Sequence, residues 1–249
     1  MSLRRRSLLG RDVASFELWT RGTDPAVVLV HGIGVSSRYF GPLERELSRD
    51  TTVLAPDLPG FGRSPLHGDP PTIAEHAAVV AALVEQTGLE RPVVVGHSMG
   101  AQVATELAAD RPELVGGLVL LGPVTDPRAP SAVRQAARLA ADVLREPPAC
   151  AALQVREYAR TGLAWYLRTV PHMVDHPLPE RLAQVRVPAA VVRGARDPIA
   201  PSRFVRELAA VAADARVVEV PRAAHVVMWS RPDVVGAVVR EVGRRRVPC

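Results

Sequence analysis

Hydrophobic positions along this chain follow two periods, and the alternation between them marks out its elements. Short apolar, β-branched runs occur at Val27–Val30, Thr52–Ala55, Pro92–Val95, Leu118–Leu121, Ala189–Val192 and Arg216–Val220. Several lack polar alternation, the pattern of parallel strands covered by helices on both faces. Between most of them apolar residues recur at three- and four-residue spacing, which predicts helices over Tyr39–Ser48, Ile73–Thr87, Met99–Ala109, Arg203–Ala213 and Val234–Arg244. The Ile73–Thr87 segment carries its own punctuation. Thr72 and Glu75 form a capping box ahead of it, Gly88 stands at its stop, and Ile73, Ala77, Val80, Ala81 and Val84 share one face. Ser2–Leu9 and Ser15–Arg21, separated by Gly10-Arg11-Asp12, read as an antiparallel hairpin.

This order predicts an α/β fold: a mostly parallel sheet with right-handed crossovers, whose ligands bind at the carboxyl ends of the strands. One stretch breaks the rhythm. Residues 123–188 carry helical patterns at Ser131–Arg145, Ala149–Thr161 and Leu163–Val170 but no strand, with prolines at Pro147, Pro148, Pro171, Pro177 and Pro179. The expected organisation is therefore a core of residues 1–122 and 189–249, with residues 123–188 as a helical cap, or lid, above the strand ends. Trp165, Tyr166, Leu163, Leu167 and Met173 suit an apolar pocket wall, and equally the cap's own packing.

The sharpest chemical signal is Gly96-His97-Ser98-Met99-Gly100, set between the Pro92–Val95 strand and the helix beginning at Met99. That strand–turn–helix context is what a nucleophile elbow requires. The turn is tight enough to need glycine on either side, and it lifts the Ser98 hydroxyl over the sheet edge near a helix N-terminus. A serine hydroxyl needs a base, and the base needs a carboxylate to orient it. Asp197 follows the Ala189–Val192 strand and His225 follows Arg216–Val220, so both stand at strand carboxyl ends where they can converge on Ser98. Asp126 is the reserve acid. Two backbone amides would stabilise an oxyanion: Met99, after the nucleophile, and Ile33 in His31-Gly32-Ile33-Gly34, with Gly34 as the alternative. His31 is read as pinning that loop. His97 is read as packing beside the nucleophile, though its place also makes it a candidate substrate contact. In the cap, Trp165, Tyr166, His172 and His176 are candidate substrate contacts. His67 and His76 are expected at the surface.

These pieces in this order resemble the α/β-hydrolase superfamily, and in particular its lidded esterase and thioesterase branch, over nearly the whole chain from Phe16 to Val242. The resemblance rests on His31-Gly32-Ile33-Gly34, Asp57-Leu58-Pro59-Gly60-Phe61-Gly62-Arg63-Ser64, the elbow, Gly194-x-x-Asp197 and the His225 loop. It implies an eight-stranded sheet with the cap inserted after strand 6, and a triad of Ser98, Asp197 and His225. The Asp57–Ser64 segment is implied to be a structural turn bordering the site, with Asp57 outside the chemistry. Where family members carry glycine before the histidine, this chain has Ala224.

Serine at the elbow excludes the aspartate-nucleophile chemistries of the superfamily, and the absence of lysine excludes lyases that depend on one. What remains is acyl transfer to water from a carboxylic ester, thioester or lactone. Alternatives are hydrolysis of a diketone carbon–carbon bond by the same triad, or a non-hydrolytic member acting as a cyclase or binding protein. The reaction needs no cofactor or metal.

Composition changes this picture little. All 31 basic residues are arginine, against 26 acids, for a net charge of +5. With abundant Ala, Val, Gly and Pro, this is the bias of a GC-rich bacterial genome. The arginines are scattered, where a nucleic-acid binder gathers them on one face. Residues 123–188 hold nine arginines and six acids, a surplus that suits an acyl group carried on coenzyme A or acyl carrier protein. No apolar run reaches membrane-spanning length. Cys150 and Cys249 make neither a metal spacing nor a disulfide framework, which points to a reducing compartment. The Arg4-Arg5-Arg6 segment is followed too soon by Arg11, Asp12 and Glu17 to act as an export signal, so a cytoplasmic protein with an N-terminal edge strand is expected.

Overall fold

The computed structural model describes residues 2–20, 25–126, 128 and 145–245. Its eight strands are β1 (Ser2–Leu8), β2 (Arg11–Leu18), β3 (Val27–Val30), β4 (Val53–Asp57), β5 (Val93–His97), β6 (Gly117–Leu121), β7 (Ala189–Gly194) and β8 (Ala215–Val220). They form one sheet in the order β1-β2-β4-β3-β5-β6-β7-β8. β1 and β2 pair antiparallel, as do β2 and β4, and every other neighbour is parallel. The expected mostly parallel sheet is present. β2 begins earlier than its apolar pattern suggests, because the hairpin turn consists of Leu9 (φ 50°) and Gly10 (φ 75°) alone and pairs Leu8 with Arg11.

The described helices are α1 (Gly41–Leu47), α2 (Ile73–Thr87), α3 (Met99–Asp110), α4 (Pro148–Thr161), α5 (Leu163–Val174), α6 (Leu178–Leu182), α7 (Ser202–Val211), α8 (Val227–Ser230) and α9 (Pro232–Arg244). Side chains of β3 alternate across the sheet. Val28 and Val30 pack with Ile73, Val80, Met99, Leu107 and Phe204 from α2, α3 and α7. Val27 and Leu29 pack with Leu43, Leu47, Val235 and Val239 from α1 and α9 on the other face. Covering both faces removes water from every central strand, which explains their unbroken apolar character. No described helix is long and apolar enough to cross a membrane.

α2 starts and stops where its local signals place it. Thr72 accepts from the Glu75 N–H at 3.2 Å, Glu75 answers the Thr72 N–H at 2.7 Å, and Gly88 closes the helix at φ 67°. His76 corrects an expectation. It is fully buried, tilted against Phe61 with 6.1 Å between ring centroids, and burial pushes its pKa down to about 3, aided by the charges of His31, Arg11 and His172. The imidazole is a neutral core side chain because His76 lies three residues after Ile73 and four before Val80, on the buried stripe. His67 is exposed, as expected.

α4, α5 and α6 are inserted between β6 and β7. The helix expected over Ser131–Arg145 lies, apart from Arg145, outside the described residues. α5 runs through Pro171 to Val174 instead of stopping at Val170. Proline there removes one N–H from the last turn, and the helix still closes with Asp175 N–H donating to the Pro171 carbonyl at 2.9 Å. α5 buries Trp165, Thr169 and Met173, spaced four apart, and leaves Leu163 and Leu167 exposed.

One buried carboxyl has a measurable consequence. Glu44 of α1 is 8% exposed and its Oε1 has no hydrogen-bond partner. Burial raises its pKa to about 7, the charge of Asp57 adds to this, and Arg45 opposes it. Between the ordinary carboxylate value and pH 7 the unfolded chain has released this proton while the folded chain holds it, so stability falls as pH rises through that window. The penalty is on the order of 3 kcal/mol above pH 7. Chemical denaturation of wild type and Glu44→Gln should show the variant gaining stability relative to wild type from pH 4.5 to pH 7.5. A gap between the two that stays constant with pH would contradict this assignment.

Candidate active site

β3 and β5 lie side by side, with Val30 in register with Gly96. The sheet order sends the chain from β3 to one side, into β4, and then back across to β5 on the other. At such a switch point the loops leaving the two carboxyl ends open a crevice between them. The loops are His31–Gly34 and Gly96–Ser98.

Close backbone approach shapes the turn after β5. A Cβ on Gly96 would stand 2.1 Å from the Gly100 carbonyl oxygen, and a Cβ on Gly100 would stand 2.1 Å from that of Val30. Ser98 sits at the apex with φ 57° and ψ −121°, a strained conformation for a side-chain-bearing residue. Its N–H donates to the Leu121 carbonyl at 3.0 Å, and its carbonyl caps Ala101 N–H at 2.9 Å. Met99 opens α3, so its N–H has no intrahelical acceptor. Gly32 backs onto this apex: a Cβ there would come within 3.0 Å of Ser98 Cβ and 3.5 Å of Ser98 Oγ. Ile33, next in that loop, is buried.

The loop is held from behind. His31 Nε2 accepts from Leu58 N–H at 2.8 Å, which leaves its Nδ1–H to donate to the Gly32 carbonyl at 2.8 Å. Burial keeps this histidine neutral, holding its pKa down against the charge of Asp57. Gly32 N–H donates to the Tyr39 hydroxyl at 2.8 Å, and that hydroxyl donates to His97 Nδ1 at 2.8 Å. His97 Nε2–H then donates to the His225 backbone carbonyl at 3.1 Å. Each partner has one consistent role, and His97 is neutral, its pKa driven well down by burial and by His225. Both His97 ring nitrogens are thereby engaged inside the protein. Tyr39 was not legible as part of the site; nothing in its spacing links it to His97.

Asp197 lies in the loop after β7. Its Oδ1 accepts from Ile199 N–H at 2.7 Å and Ala200 N–H at 3.1 Å, and its Oδ2 accepts from His225 Nδ1–H at 2.9 Å. Burial alone would raise the Asp197 pKa. The charge of His225 and these hydrogen bonds outweigh burial and leave it below the ordinary range. Gly122, just past β6, lies against the pair: a Cβ there would be 2.8 Å from His225 Nδ1 and 3.1 Å from Asp197 Oδ2. Since Ser98 is bonded to Leu121, one residue away, the turn, the acid and the histidine are gathered at the same sheet edge. The loop before His225 crosses Gly194, where a Cβ would meet the Ala224 carbonyl oxygen at 2.1 Å. The methyl side chain of Ala224 is accommodated in the buried interior. A second unforeseen support is Glu146, whose Oε1 accepts from Val226 N–H at 2.7 Å beside His225.

Asp126, the reserve acid, is turned elsewhere. It pairs with Arg203 and accepts from Arg128 N–H at 3.1 Å. Asp57 is also committed, accepting from Ser37 N–H and Oγ–H at 2.8 and 2.7 Å and from Arg63 N–H at 2.9 Å. It shapes the Asp57–Ser64 turn. Among the described residues no group of three or more His, Cys, Asp or Glu side chains is arranged to hold a metal ion.

The inserted helices close over these loops. A Cβ on Gly34 would run into the Tyr158 ring at 2.5 Å and meet Tyr166 at 3.0 Å, and the two tyrosines pack edge to face. Trp165 lies on Gly60, whose Cβ would come within 2.2 Å of the indole. Thr161 Oγ–H donates to the Gly34 carbonyl at 3.3 Å. On the opposite side Gln102 of α3 donates to the Met173 carbonyl at 2.7 Å, and His176 contacts Glu106 at 2.7 Å. His176 is thus spent on anchoring, while His172 is half-buried beyond it.

Comparison with known proteins agrees with this fold. The enol-lactonase of Burkholderia xenovorans LB400 superposes with a TM-score of 0.82 over 96% of this chain and 99% of its own, at 24% identity. A thermophilic esterase from Thermogutta terrifontis superposes with the same TM-score of 0.82 over 98% of each chain, at 22% identity. The lipase LipV of Mycobacterium tuberculosis is 45% identical over 100 residues, which is 40% of this chain and 38% of the lipase. Another Mycobacterium tuberculosis protein, uncharacterised, is 37% identical over 29% of its length. The chain therefore spans well under half of the curated relatives it matches. The profile of the Alpha/beta hydrolase family matches residues 27–238. With that match running from β3 into the last helix, across the sheet, the turn at Ser98 and both late loops, this chain belongs to the alpha/beta hydrolase family.

Proposed function

We propose that the protein is a serine hydrolase that cleaves a carboxylic ester, thioester or lactone through an acyl-enzyme on Ser98. The observation that carries this reading is the buried Asp197–His225 pair at 2.9 Å, placed next to a strained serine turn. Asp197 accepts a hydrogen bond from His225 Nδ1–H, which keeps that proton on Nδ1 and leaves Nε2 with a lone pair for the Ser98 hydroxyl proton. Ser98 Oγ attacks the substrate carbonyl carbon, and the carbonyl π electrons move onto oxygen. The Ile33 and Met99 amides receive that oxyanion. As the oxyanion re-forms the carbonyl, the bond to the leaving group breaks and His225 returns its proton to the departing oxygen or sulfur. Water, deprotonated by the same histidine, then releases the acid and restores Ser98. Residues 123–188 act as the cap, with Tyr158, Tyr166 and Trp165 excluding water above the oxyanion loop. An enol-lactonase and an esterase share the fold, and a lipase is the named relative quoted above, so ester-type bonds are the favoured class.

A fluorophosphonate probe tests the reading directly. Wild type should form one covalent adduct, located by peptide mass at Ser98, and should hydrolyse p-nitrophenyl acetate. Ser98→Ala should do neither. A folded wild type that resists the probe and leaves the ester intact would rule out the proposal.

A further inference from the structure

An open cleft of about 440 Å³ lies beside the turn that follows β4. It is bounded by Arg5 of β1, by Gly60–Leu66, and by Arg160 and Thr161 at the end of α4. Three arginines line it, and no carboxylate does. Elsewhere Arg6 pairs with Glu17, Arg168 with Asp69, Arg181 with Glu106 and Asp110, and Arg216 with Glu241. Among the described residues Arg5, Arg63 and Arg160 have no ion pair, and they meet on one cleft. Arg160 donates only to the Gly62 carbonyl, at 3.4 Å.

Arg63 is the anchored member. Its guanidinium lies over the Phe16 ring, 4.6 Å from the centroid, and its Nη1 is buried with no hydrogen-bond partner. Burial and the nearby charges of Arg38 and Arg160 hold its pKa below the usual arginine value, although Asp57 and Glu157 oppose them. Those two acids are already occupied. Asp57 is tied to Ser37 and the Arg63 amide, and Glu157 pairs with Arg38 at 3.5 Å. Four guanidinium groups thus share two carboxylates, leaving a local surplus of two positive charges. A phosphate monoester carries about two negative charges near neutral pH and offers oxygens that suit guanidinium forks.

We infer that this cleft is a phosphate-monoester site formed by Arg5, Arg63 and Arg160. Its position ties it to the proposed chemistry, and this part rests on the ester- or thioester-hydrolase reading. Thr161 lines the cleft and also donates to Gly34 of the oxyanion loop, while Gly60, another lining residue, lies under Trp165. The cleft therefore borders the oxyanion loop, and the phosphate would sit at the far end of the substrate's leaving group. Inorganic phosphate is the other source of the same chemistry, acting as a free occupant.

Isothermal titration of wild type, Ser98→Ala and the double variant Arg5→Gln/Arg160→Gln separates these cases, with pantetheine 4′-phosphate, pantetheine and inorganic phosphate as probes. Both replaced arginines have exposed side chains, so a melting curve matching wild type is expected to certify the variant. Wild type and Ser98→Ala should bind pantetheine 4′-phosphate at least about tenfold more tightly than pantetheine, and the arginine variant should lose that preference. Inorganic phosphate binding within about tenfold of pantetheine 4′-phosphate identifies a free-phosphate site; a wider gap identifies the organic monoester. Absence of any phosphate preference in wild type, or its persistence in the arginine variant, overturns the inference. Because Ser98→Ala binds without turning over, failure of the hydrolase reading leaves this measurement intact.

Discussion

Replacing Asp197 with asparagine is expected to lower kcat for an ester substrate by about 10⁴-fold, or about 5 kcal/mol of barrier, with little change in the fold. The side chains are nearly isosteric. The amide oxygen can keep the Ile199 and Ala200 N–H groups at 2.7 and 3.1 Å. The amide nitrogen then faces His225 Nδ1 and can only donate, which forces that nitrogen to accept and puts the imidazole proton on Nε2. A histidine in that state has no lone pair for the Ser98 proton. The imidazolium formed during the reaction would also lose the Asp197 carboxylate contact inside a buried pocket. Steady-state kinetics with p-nitrophenyl esters checks this, beside a denaturation curve to show that the variant folds. Activity within about tenfold of wild type would mean that Asp197 does not orient the base.

Gly100→Ala should cost more than about 4 kcal/mol of stability, enough to unfold many domains. The added methyl meets the Val30 carbonyl oxygen at 2.1 Å and the His31 carbonyl oxygen at 2.6 Å. Both are backbone, so no side chain can rotate away, and relief requires α3 to move off β3. Gly10→Ala makes the contrast. That glycine has φ +75° and nothing within 4 Å of its Cβ position, so only conformational strain of about 1 kcal/mol is expected. Urea midpoints of the two variants should separate accordingly. A soluble Gly100→Ala protein with the wild-type midpoint would contradict the close approach that shapes the turn.

How much of this was legible in advance depends on how far each feature reaches along the chain. The α2 boundaries were, because the Thr72–Glu75 cap and the left-handed Gly88 are local. So were the central strands, whose apolar runs reflect helices on both faces. Ser98, Asp197 and His225 could be named because each follows a strand, although only the structure shows Asp197 and His225 in contact. Supports that reach across the chain were not legible: Tyr39 on His97, and Glu146 on the amide beside His225. His76 was legible but passed over, since its spacing from Ile73 and Val80 already places it on the buried face. In α5 two apolar stripes compete, and hydrophobicity alone does not choose the buried one. The stripe of Trp165, Thr169 and Met173 wins because it faces the Gly60 turn and α3. The arginine cleft depends on β1, the β4 turn and α4 meeting, which composition had only hinted at as a surplus.

The chain of Gly32, Tyr39, His97 and His225 joins parts of the protein that the sequence keeps far apart. His97 and His225 are 128 residues distant, yet three hydrogen bonds fix one loop's position against the other's. The chain has a sense of direction: each link donates toward the next acceptor, and the Gly32 amide at one end and the His225 carbonyl at the other fix that direction. It behaves as a ruler with its graduations set by tautomers. The Gly32 loop and the His225 loop therefore keep their separation as a single dimension of the molecule.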